Sequence, residues 1–325
     1  MKNIETNSKI REKAVPRKLK LAQKGRRIFS SVGLIRIARS ICCLVFFGFF
    51  ISPMSQAIAA EKIFYPPNEE FTYDVHFLSL INAGTSRIQI RKKSGNRYEA
   101  RMVAETKGIV GFFTRYRKNS YTSEMEYIPE QRRLITHRFT KVVTWGDEVR
   151  KSVSESDYRN RIHRWVVTEN GKFKSKGSEI IPEGVIYEDM ISAFFNLRYG
   201  AFGPIKPGRR ITVISQPFSQ ASILESKKDS GEYLRKFVIR IAEKTTELKY
   251  RQRLGRNNEK GVLVLINAPN DFFGQNKGDV IIWFDNKMIP VGTTVEDVFL
   301  FGDVTGTLVK TRIQPVSSVQ LVGSS

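Results

Sequence analysis

The sequence predicts a mainly β protein, built as a curved antiparallel sheet, a barrel or a β-roll, with one short amphipathic helix near residues 187–198. Three observations lead to this prediction. The chain contains many short runs in which apolar and polar residues alternate, and turn residues separate these runs. One segment, by contrast, has the spacing of a helix.

The first alternating run begins at Glu70. Phe71, Tyr73, Val75 and Phe77 point to one side and the residues between them to the other, which is the period of a half-buried strand. On this pattern the predicted strands are residues 70–77, 85–91, 98–106, 118–127, 134–143, 149–158, 161–168, 209–215, 234–242, 261–267, 280–285, 291–299 and 304–311.

Short polar links connect the runs, among them Ser94-Gly95-Asn96 and Asn170-Gly171, and such links are typical of hairpin turns. The sequence shows no repeat of fixed period and no long linker. We therefore expect a single β domain over residues 60–315, followed by a flexible tail over residues 316–325.

The helical segment lies in GVIYEDMISAFFNLRYG, and its apolar residues are Tyr187, Met190, Ile191, Phe194 and Leu197. Glu188, Ser192 and Asn196 recur at four-residue steps on another face, and Gly200 is placed to end the helix. We expect the helix to plug the open end or the concave face of the sheet. Catalytic roles for Glu188 and Asp189 are the alternative, but adjacent helical residues point about 100° apart and do not converge on one substrate atom.

The first 59 residues have the pattern of an export signal. They hold 12 of the 54 Lys and Arg residues and 2 of the 32 Asp and Glu residues, so the rest of the chain keeps a net charge of +12. A basic region ends at Arg39, an apolar run covers residues 41–51, and Ala57-x-Ala59 forms a small-residue cleavage site. Eleven apolar residues are too few to span a bilayer, which takes roughly 20.

We therefore predict cleavage after Ala59, a periplasmic location in a Gram-negative envelope, and no transmembrane span in the mature protein. An uncleaved membrane anchor is the alternative. Export also argues against nucleic acid as the partner of the basic body.

Composition limits the available chemistry. Both cysteines, Cys42 and Cys43, lie in the apolar run, so the mature chain has no disulfide, thiolate metal site or cysteine nucleophile. His76, His137 and His163 lie in separate predicted strands without metal-ligand spacing, and no G-x-S-x-G or phosphate-loop motif is present. We predict no cofactor, no metal and no catalytic residue.

Six short motifs occur in a fixed order: YPPNEEFTYDV (65–75), NAGTSRIQI (82–90), AETKGIVGFF (104–113), YEDMISAFFNLR (187–198), GDVIIWFDNKMIPVGTTV (278–295) and FGDVTGTL (301–308). In order and spacing they resemble the bacterial family catalogued as domain of unknown function 3108, which consists of exported envelope proteins. The resemblance implies a secreted, mostly β protein. It implies no catalytic residue.

The stretch GIVGFF (108–113) combines two glycines with four large apolar residues directly before the basic RYRK. This composition suits a loop that meets a lipid or closes a pocket, and inward folding as core is the alternative. We predict that the aromatic residues line the entrance of a ligand site and that the basic residues hold an anionic headgroup. The predicted ligand-binding residues are Phe112, Phe113, Arg115, Arg117 and Lys118.

Two classes of function follow from these observations. The favoured one is a non-enzymatic envelope protein that binds a lipid or lipopolysaccharide-like molecule, another anionic envelope molecule, or an envelope protein. The alternative is a carboxylate-dependent hydrolase acting on envelope polysaccharide, for which Glu124 and Glu126 share one strand face. Convergence of two carboxylates, or of a histidine and a carboxylate, in the largest concavity would favour the hydrolase.

Overall fold

The computed structural model describes residues 64–77, 81–217, 235–253, 261–267, 279–298 and 302–316. The chain from Ala60 to Ser325 forms a compact unit of its own. The predicted export signal and residues 317–325 of the predicted tail lie outside the described residues. In the described ranges, no helix has the length and apolar character that crossing a bilayer would require.

Fourteen strands form one antiparallel sheet in the part of the chain that the structure describes. The strands are β1 (Asn68–Phe77), β2 (Ile81–Lys92), β3 (Arg97–Thr106), β4 (Lys118–Ile128), β5 (Arg133–Trp145), β6 (Glu148–Asp157), β7 (Ile162–Glu169), β8 (Lys172–Ile180), β9 (Arg210–Ile214), β10 (Lys236–Ile241), β11 (Val262–Asn267), β12 (Val280–Phe284), β13 (Pro290–Val298) and β14 (Gly302–Gln314). The prediction of a mainly β protein is therefore confirmed.

Strands that follow each other in the sequence are also neighbours in the sheet, except β8 and β9. The order runs from β8 back to β1, then from β14 back to β9, so the first and last strands pair with each other. The strands β8 and β9 are the two edges, and the described residues show no pairing between them. The sheet is therefore open and is not a closed barrel.

In the described ranges, three α-helices accompany the sheet: α1 (Gly108–Phe113), α2 (Met190–Arg198) and α3 (Lys244–Arg253). The α2 helix follows β8 and packs against both halves of the sheet. Its residues Ile191 and Phe195 join the apolar core of β1–β5, whereas Ala193 and Leu197 join the core of β9–β12. The sheet therefore curves around α2, which lies on its concave side, one of the two positions that the sequence predicted.

The polar residues of α2 are buried as well. The helix begins at Met190 rather than near 187, because Glu188 forms a parallel bridge with Ser215 and Asp189 caps the first turn. Glu188, Asp189, Ser192 and Asn196 are each at most 1% exposed. The sequence placed Glu188, Ser192 and Asn196 on a separate face, and the structure buries that face.

The α3 helix covers the convex side of β11 and β12. Its Tyr250 packs on a second apolar layer that includes Leu263 and Trp283, and the Arg251 guanidinium lies 4.6 Å from the Trp283 ring centre. Every residue of β12 is buried because α2 covers one of its faces and α3 the other. This explains the continuous apolar run VIIWF at residues 280–284.

Candidate functional site: an apolar cavity beside helix α2

A cavity of about 250 Å³ lies between α2 and the concave face of the sheet. Met190, Phe194 and Leu197 line its helical wall, and strands β1–β3 and β10–β14 form the opposite wall. None of the described lining residues is charged. The site therefore offers an apolar guest a surface that water hydrates poorly.

The hydroxyl groups of the lining are mostly occupied by the protein itself. The Tyr73 hydroxyl donates to the Pro290 carbonyl at 2.9 Å, and Thr293 Oγ1 donates to the Ile281 carbonyl at 3.0 Å. Burial raises the pKa of the Tyr73 phenol well above its usual range, so this group stays neutral. These bonds leave carbon atoms to face the cavity.

One end of the cavity lies near the end of the sheet where β1, β3 and β13 finish and β2, β4 and β14 begin. We call this the α1 end. The half-buried lining residues at this end include Ser86, Ala104 and Val304, whereas Ile88 and Ile239 farther along the wall are buried. Ser86 and Ala104 face each other across β2 and β3, only two residues from the end of β3. We take this end as the candidate entrance of the cavity.

The α1 helix lies at the same end of the sheet. It follows β3 directly, and the Lys107 amide donates to the Ala83 carbonyl of β2 at 2.8 Å. The stretch predicted as a loop is thus a short helix, with Val110 and Gly111 buried against the sheet. Its other large apolar residues are exposed: Ile109 by 71%, Phe112 by 69% and Phe113 by 75%.

The turn after α1 holds it in a defined position. Arg115 and Tyr116 both have left-handed backbone conformations, with φ of 55° and 51°, which non-glycine residues adopt at a cost. The Tyr116 amide donates to the Gly111 carbonyl at 2.6 Å. The Tyr116 ring also packs closely on Gly111, because a Cβ added to Gly111 would lie 2.9 Å from the ring. The Gly146 amide also donates to the Arg115 carbonyl at 2.7 Å, so the turn is tied to the neighbouring hairpin.

The three predicted basic residues follow in this turn and at the start of β4. Arg115 forms an ion pair with Glu148 at 2.9 Å, Lys118 lies 4.0 Å from Glu105, and Arg117 Nε donates to Asn119 Oδ1 at 3.2 Å. All three basic side chains are exposed. The structure therefore brings the five predicted residues together at the α1 end, but none of them lines the cavity.

A buried carboxylate, Glu188, lies directly before α2. It accepts hydrogen bonds from Arg133 Nη2 at 2.7 Å, from Ser192 Oγ at 2.5 Å and from Asn196 Nδ2 at 3.0 Å. Burial raises the pKa of Glu188 to about 7, and the Arg133 guanidinium opposes that rise. Its donors fix the start of α2 to β5.

The neighbouring carboxylate, Asp189, is the N-cap of α2. It accepts hydrogen bonds from the backbone amides of Ile191 and Ser192 at 2.7 and 3.0 Å. It also accepts from Ser123 Oγ of β4 at 2.8 Å and from Thr136 Oγ1 of β5 at 2.6 Å. Burial raises the pKa of this carboxyl group, and the four donors oppose the rise. Both carboxylates are thus occupied in positioning α2, and neither lines the cavity.

The other groups considered for chemistry lie apart from the cavity. Glu124 and Glu126 are exposed, with Glu126 Oε2 3.3 Å from His137 Nε2. His163 is buried, with Nε2 2.6 Å from the Pro217 carbonyl oxygen, and burial lowers the pKa of its imidazole to about 4. Within the described ranges, no three metal-binding side chains cluster.

Sequence analysis did not find the cavity lining. Eight strands from both halves of the chain contribute to the lining, and no local sequence pattern predicts which strands come together around a cavity. One signal was present: small residues occupy inward positions of the central strands at Ala104, Gly292 and Gly306. A Cβ on Gly306 would come within 2.7 Å of Thr293 Cγ2, so glycine lets these strands pack side by side without filling the cavity.

Comparison with known families confirms the resemblance found in the sequence. Residues 72–219 match the sequence model described as "Protein of unknown function (DUF3108)". The matched range begins within β1 and includes β2–β9 and α2, the helix around which the sheet curves. This is the family that the sequence motifs indicated.

Among solved structures, the chain is similar to a crystal structure described as a beta-barrel-like protein of domain of unknown function DUF1849 from Brucella abortus. The similarity has a TM-score of 0.39 and 10% sequence identity, and it covers 77% of this chain and 99% of that chain. A search of curated proteins found no match.

Proposed function

We propose that the protein is a non-enzymatic binding protein of the cell envelope, and that it holds one acyl chain or a similarly slender apolar group in the cavity beside α2. The observation that carries this proposal is the lining, which contains no charged residue among those described and whose Tyr73 and Thr293 hydroxyls are bonded to the backbone. Burial of methylene groups against such a surface is favourable, and the surface has no group that could pair with a charged substrate.

The volume supports a single chain. Apolar cavities of about 150 Å³ accept a benzene molecule, and pockets for larger ligands begin at about 300 Å³. A cavity of about 250 Å³ lies between these two sizes. Each buried methylene contributes about 0.8 kcal/mol, so about eight of them contribute roughly 6 kcal/mol toward binding before the costs of association.

An anionic headgroup at the α1 end completes the proposed ligand. Arg115, Arg117 and Lys118 are exposed there, while the cavity itself excludes charge. An amphiphile would place its chain along α2 and its headgroup among these side chains. This agrees with the exported, periplasmic location that the leader sequence predicts.

The geometry favours binding over hydrolysis. A glycosidase-like reaction needs two carboxyl groups about 5–9.5 Å apart that face a bound sugar. Glu188 and Asp189 are instead surrounded by donors that position α2, and Glu124 and Glu126 are exposed away from the cavity.

The test is a titration with a fluorescent fatty-acyl probe. We expect saturable binding to the wild type and binding at least about tenfold weaker in Ala104→Phe, because the added ring occupies the cavity near its proposed entrance. Val103→Phe is the matched control, since Val103 is the next residue of the same strand, points to the opposite face and does not line the cavity. No saturable binding by the folded wild type, or equal binding by both variants, would refute the proposal.

The predicted entrance residues have a separate test. If Phe112 and Phe113 line the path into the cavity, Phe112→Ser/Phe113→Ser should slow probe association, and stopped-flow fluorescence would measure the change. Both side chains are exposed, so the double variant should keep its fold. An unchanged association rate would remove these residues from the entry path.

A further inference from the structure

Four large apolar side chains of α1 and the turn after it are exposed at the α1 end. Ile109, Phe112, Phe113 and Tyr116 are 62–75% exposed within eight residues of sequence. The rings of Phe112 and Phe113 lie 5.6 Å apart in an edge-to-face arrangement. We call these four residues the α1 tip. Exposed apolar groups concentrated in this way mark a surface that contacts another apolar phase or partner.

The α1 tip is part of a fixed structure. The left-handed conformations of Arg115 and Tyr116 and the hydrogen bond from Tyr116 to Gly111 define the turn. The buried Val110 anchors the opposite side of the helix. The apolar side chains are therefore presented outward by a pre-organised support, which reduces the entropy lost on binding.

Basic side chains flank the α1 tip on both sides. Lys107 precedes α1, and three further basic residues follow it, namely Arg115, Arg117 and Lys118. The described acidic side chains paired with them are Glu105 and Glu148, so four positive charges face two negative ones. The surroundings of the apolar residues thus keep a positive charge and complement an anionic surface.

We propose that the α1 tip docks the protein on the surface of an anionic lipid bilayer. Ile109, Phe112 and Phe113 would enter the boundary between headgroups and acyl chains, and the flanking basic residues would contact lipid phosphates. Aromatic and aliphatic groups beside Lys and Arg are the combination that the interface of an anionic membrane stabilises. A bilayer also explains why the apolar residues project from the surface and do not line a groove.

This docking surface includes the residues proposed above for the entrance and the headgroup of the ligand, but it does not depend on the cavity itself. The α1 tip and its flanking basic residues share no member with the cavity lining. The surface does lie at the same end of the sheet as Ser86 and Ala104, so docking would turn the proposed entrance of the cavity toward the membrane.

The experiment is vesicle co-sedimentation with the chain that starts at Ala60, which forms a compact unit by itself. Two vesicle types are compared: phosphatidylcholine alone, and phosphatidylcholine with phosphatidylglycerol. We expect binding to the anionic vesicles and at least about tenfold weaker binding by Phe112→Ser/Phe113→Ser. The control is Ile180→Ser/Leu248→Ser, which removes two exposed apolar residues at the opposite end of the sheet and should bind like wild type.

A charge variant tests the second half of the proposal. Arg117→Gln/Lys118→Gln should weaken binding to anionic vesicles and reduce its dependence on salt. Arg91→Gln/Lys93→Gln removes two exposed charges at the opposite end and should leave binding unchanged. Ala104→Phe should also bind vesicles normally, which separates membrane docking from occupation of the cavity.

Several outcomes would overturn the proposal: no vesicle binding by the wild type, equal binding by the double serine variant, or equal binding to the two vesicle types. Self-association that the double serine variant abolishes, without vesicle binding, would assign the α1 tip to a contact between two copies of the chain. Analytical ultracentrifugation would detect that outcome.

Discussion

At the scale of single residues, the Asp189 carboxylate accepts four hydrogen bonds at the start of α2. One carboxylate caps the helix and also accepts from hydroxyl groups on two strands, Ser123 on β4 and Thr136 on β5. Removing it would leave buried donors unpaired as well as an uncapped helix. We therefore expect the loss of Asp189 to reduce stability more than the loss of an N-cap residue that bonds only to the helix amides.

We therefore expect Asp189→Ala to lower the free energy of unfolding by about 3 kcal/mol or more, measured by urea denaturation. The exposed Asp147→Ala is the matched control and should change stability by less than about 0.5 kcal/mol. Similar effects of the two substitutions would contradict the positioning role of Asp189.

Glu188 gives a prediction about pH. Its pKa rises from 4.5 to about 7 on folding because burial disfavours the carboxylate. Between these values the folded protein keeps a proton that the unfolded chain releases, so the contribution of Glu188 to stability is complete below about pH 4.5 and falls as the pH rises to about 7. The loss is at most a few kcal/mol, since one pKa unit corresponds to about 1.4 kcal/mol.

The measurement compares the wild type with Glu188→Gln, which cannot titrate at this position. The stability of the wild type minus that of the variant should decrease as the pH rises from about 4.5 to about 7, because the other titrating groups are common to both proteins. A difference that stays constant or increases with pH would show that the carboxylate is stabilised in its ionised form.

At the scale of elements, both halves of the sheet pack on α2. Its two adjacent phenylalanines have different surroundings. Phe195 is fully buried in the core of β1–β5 and stacks on Tyr199 with ring centres 5.8 Å apart. Phe194 is half-buried, borders the cavity and stacks on Phe284. A residue beside an existing cavity has fewer packing contacts to lose.

Phe195→Ala should accordingly destabilise the protein by about 3–5 kcal/mol, and Phe194→Ala by clearly less. Urea denaturation of both variants would measure the difference, and an acyl probe should still bind Phe194→Ala because its cavity is enlarged. Equal destabilisation by the two substitutions would mean that Phe194 is packed as completely as Phe195 and does not border a cavity.

Besides α1, which was predicted as a loop, two elements were not predicted because their sequences lack a buried face. The edge strand β8 carries Lys172, Lys174 and Lys176, and most of its residues are exposed. The α3 helix has no fully buried residue. Periodicity detects burial, so it finds neither an exposed edge strand nor a polar helix.

At the scale of the whole molecule, the two ends of the described chain meet in the middle of the sheet. The strand β14 lies between β1 and β13 and is the connection through which the two halves share one set of backbone hydrogen bonds. Its loss would expose two strand edges at the centre of the fold.

A chain that ends at Val298 should therefore fail to fold cooperatively, and far-ultraviolet circular dichroism with thermal unfolding would show the loss. A chain that ends at Val316 keeps β14 and should retain the wild-type transition, because it removes only residues of the predicted tail. Cooperative unfolding of the shorter chain would show that β1–β13 fold without β14.

The sequence by itself determined which residues form most strands and which side of each strand is apolar, because side chains alternate across a strand whatever its neighbours are. It also determined that α2 is the helix inside the sheet, through the spacing from Tyr187 to Leu197. The family resemblance followed from the same segments.

Only the tertiary structure decided that β1 pairs with β14, that Glu188 and Asp189 are buried, and that a cavity separates α2 from the central strands. The pairing of the first and last strands joins residues more than 200 positions apart, and no local period reports it. A cavity is the volume left over when side chains from eight strands and one helix are packed together, so it depends on their sum and not on any one of them.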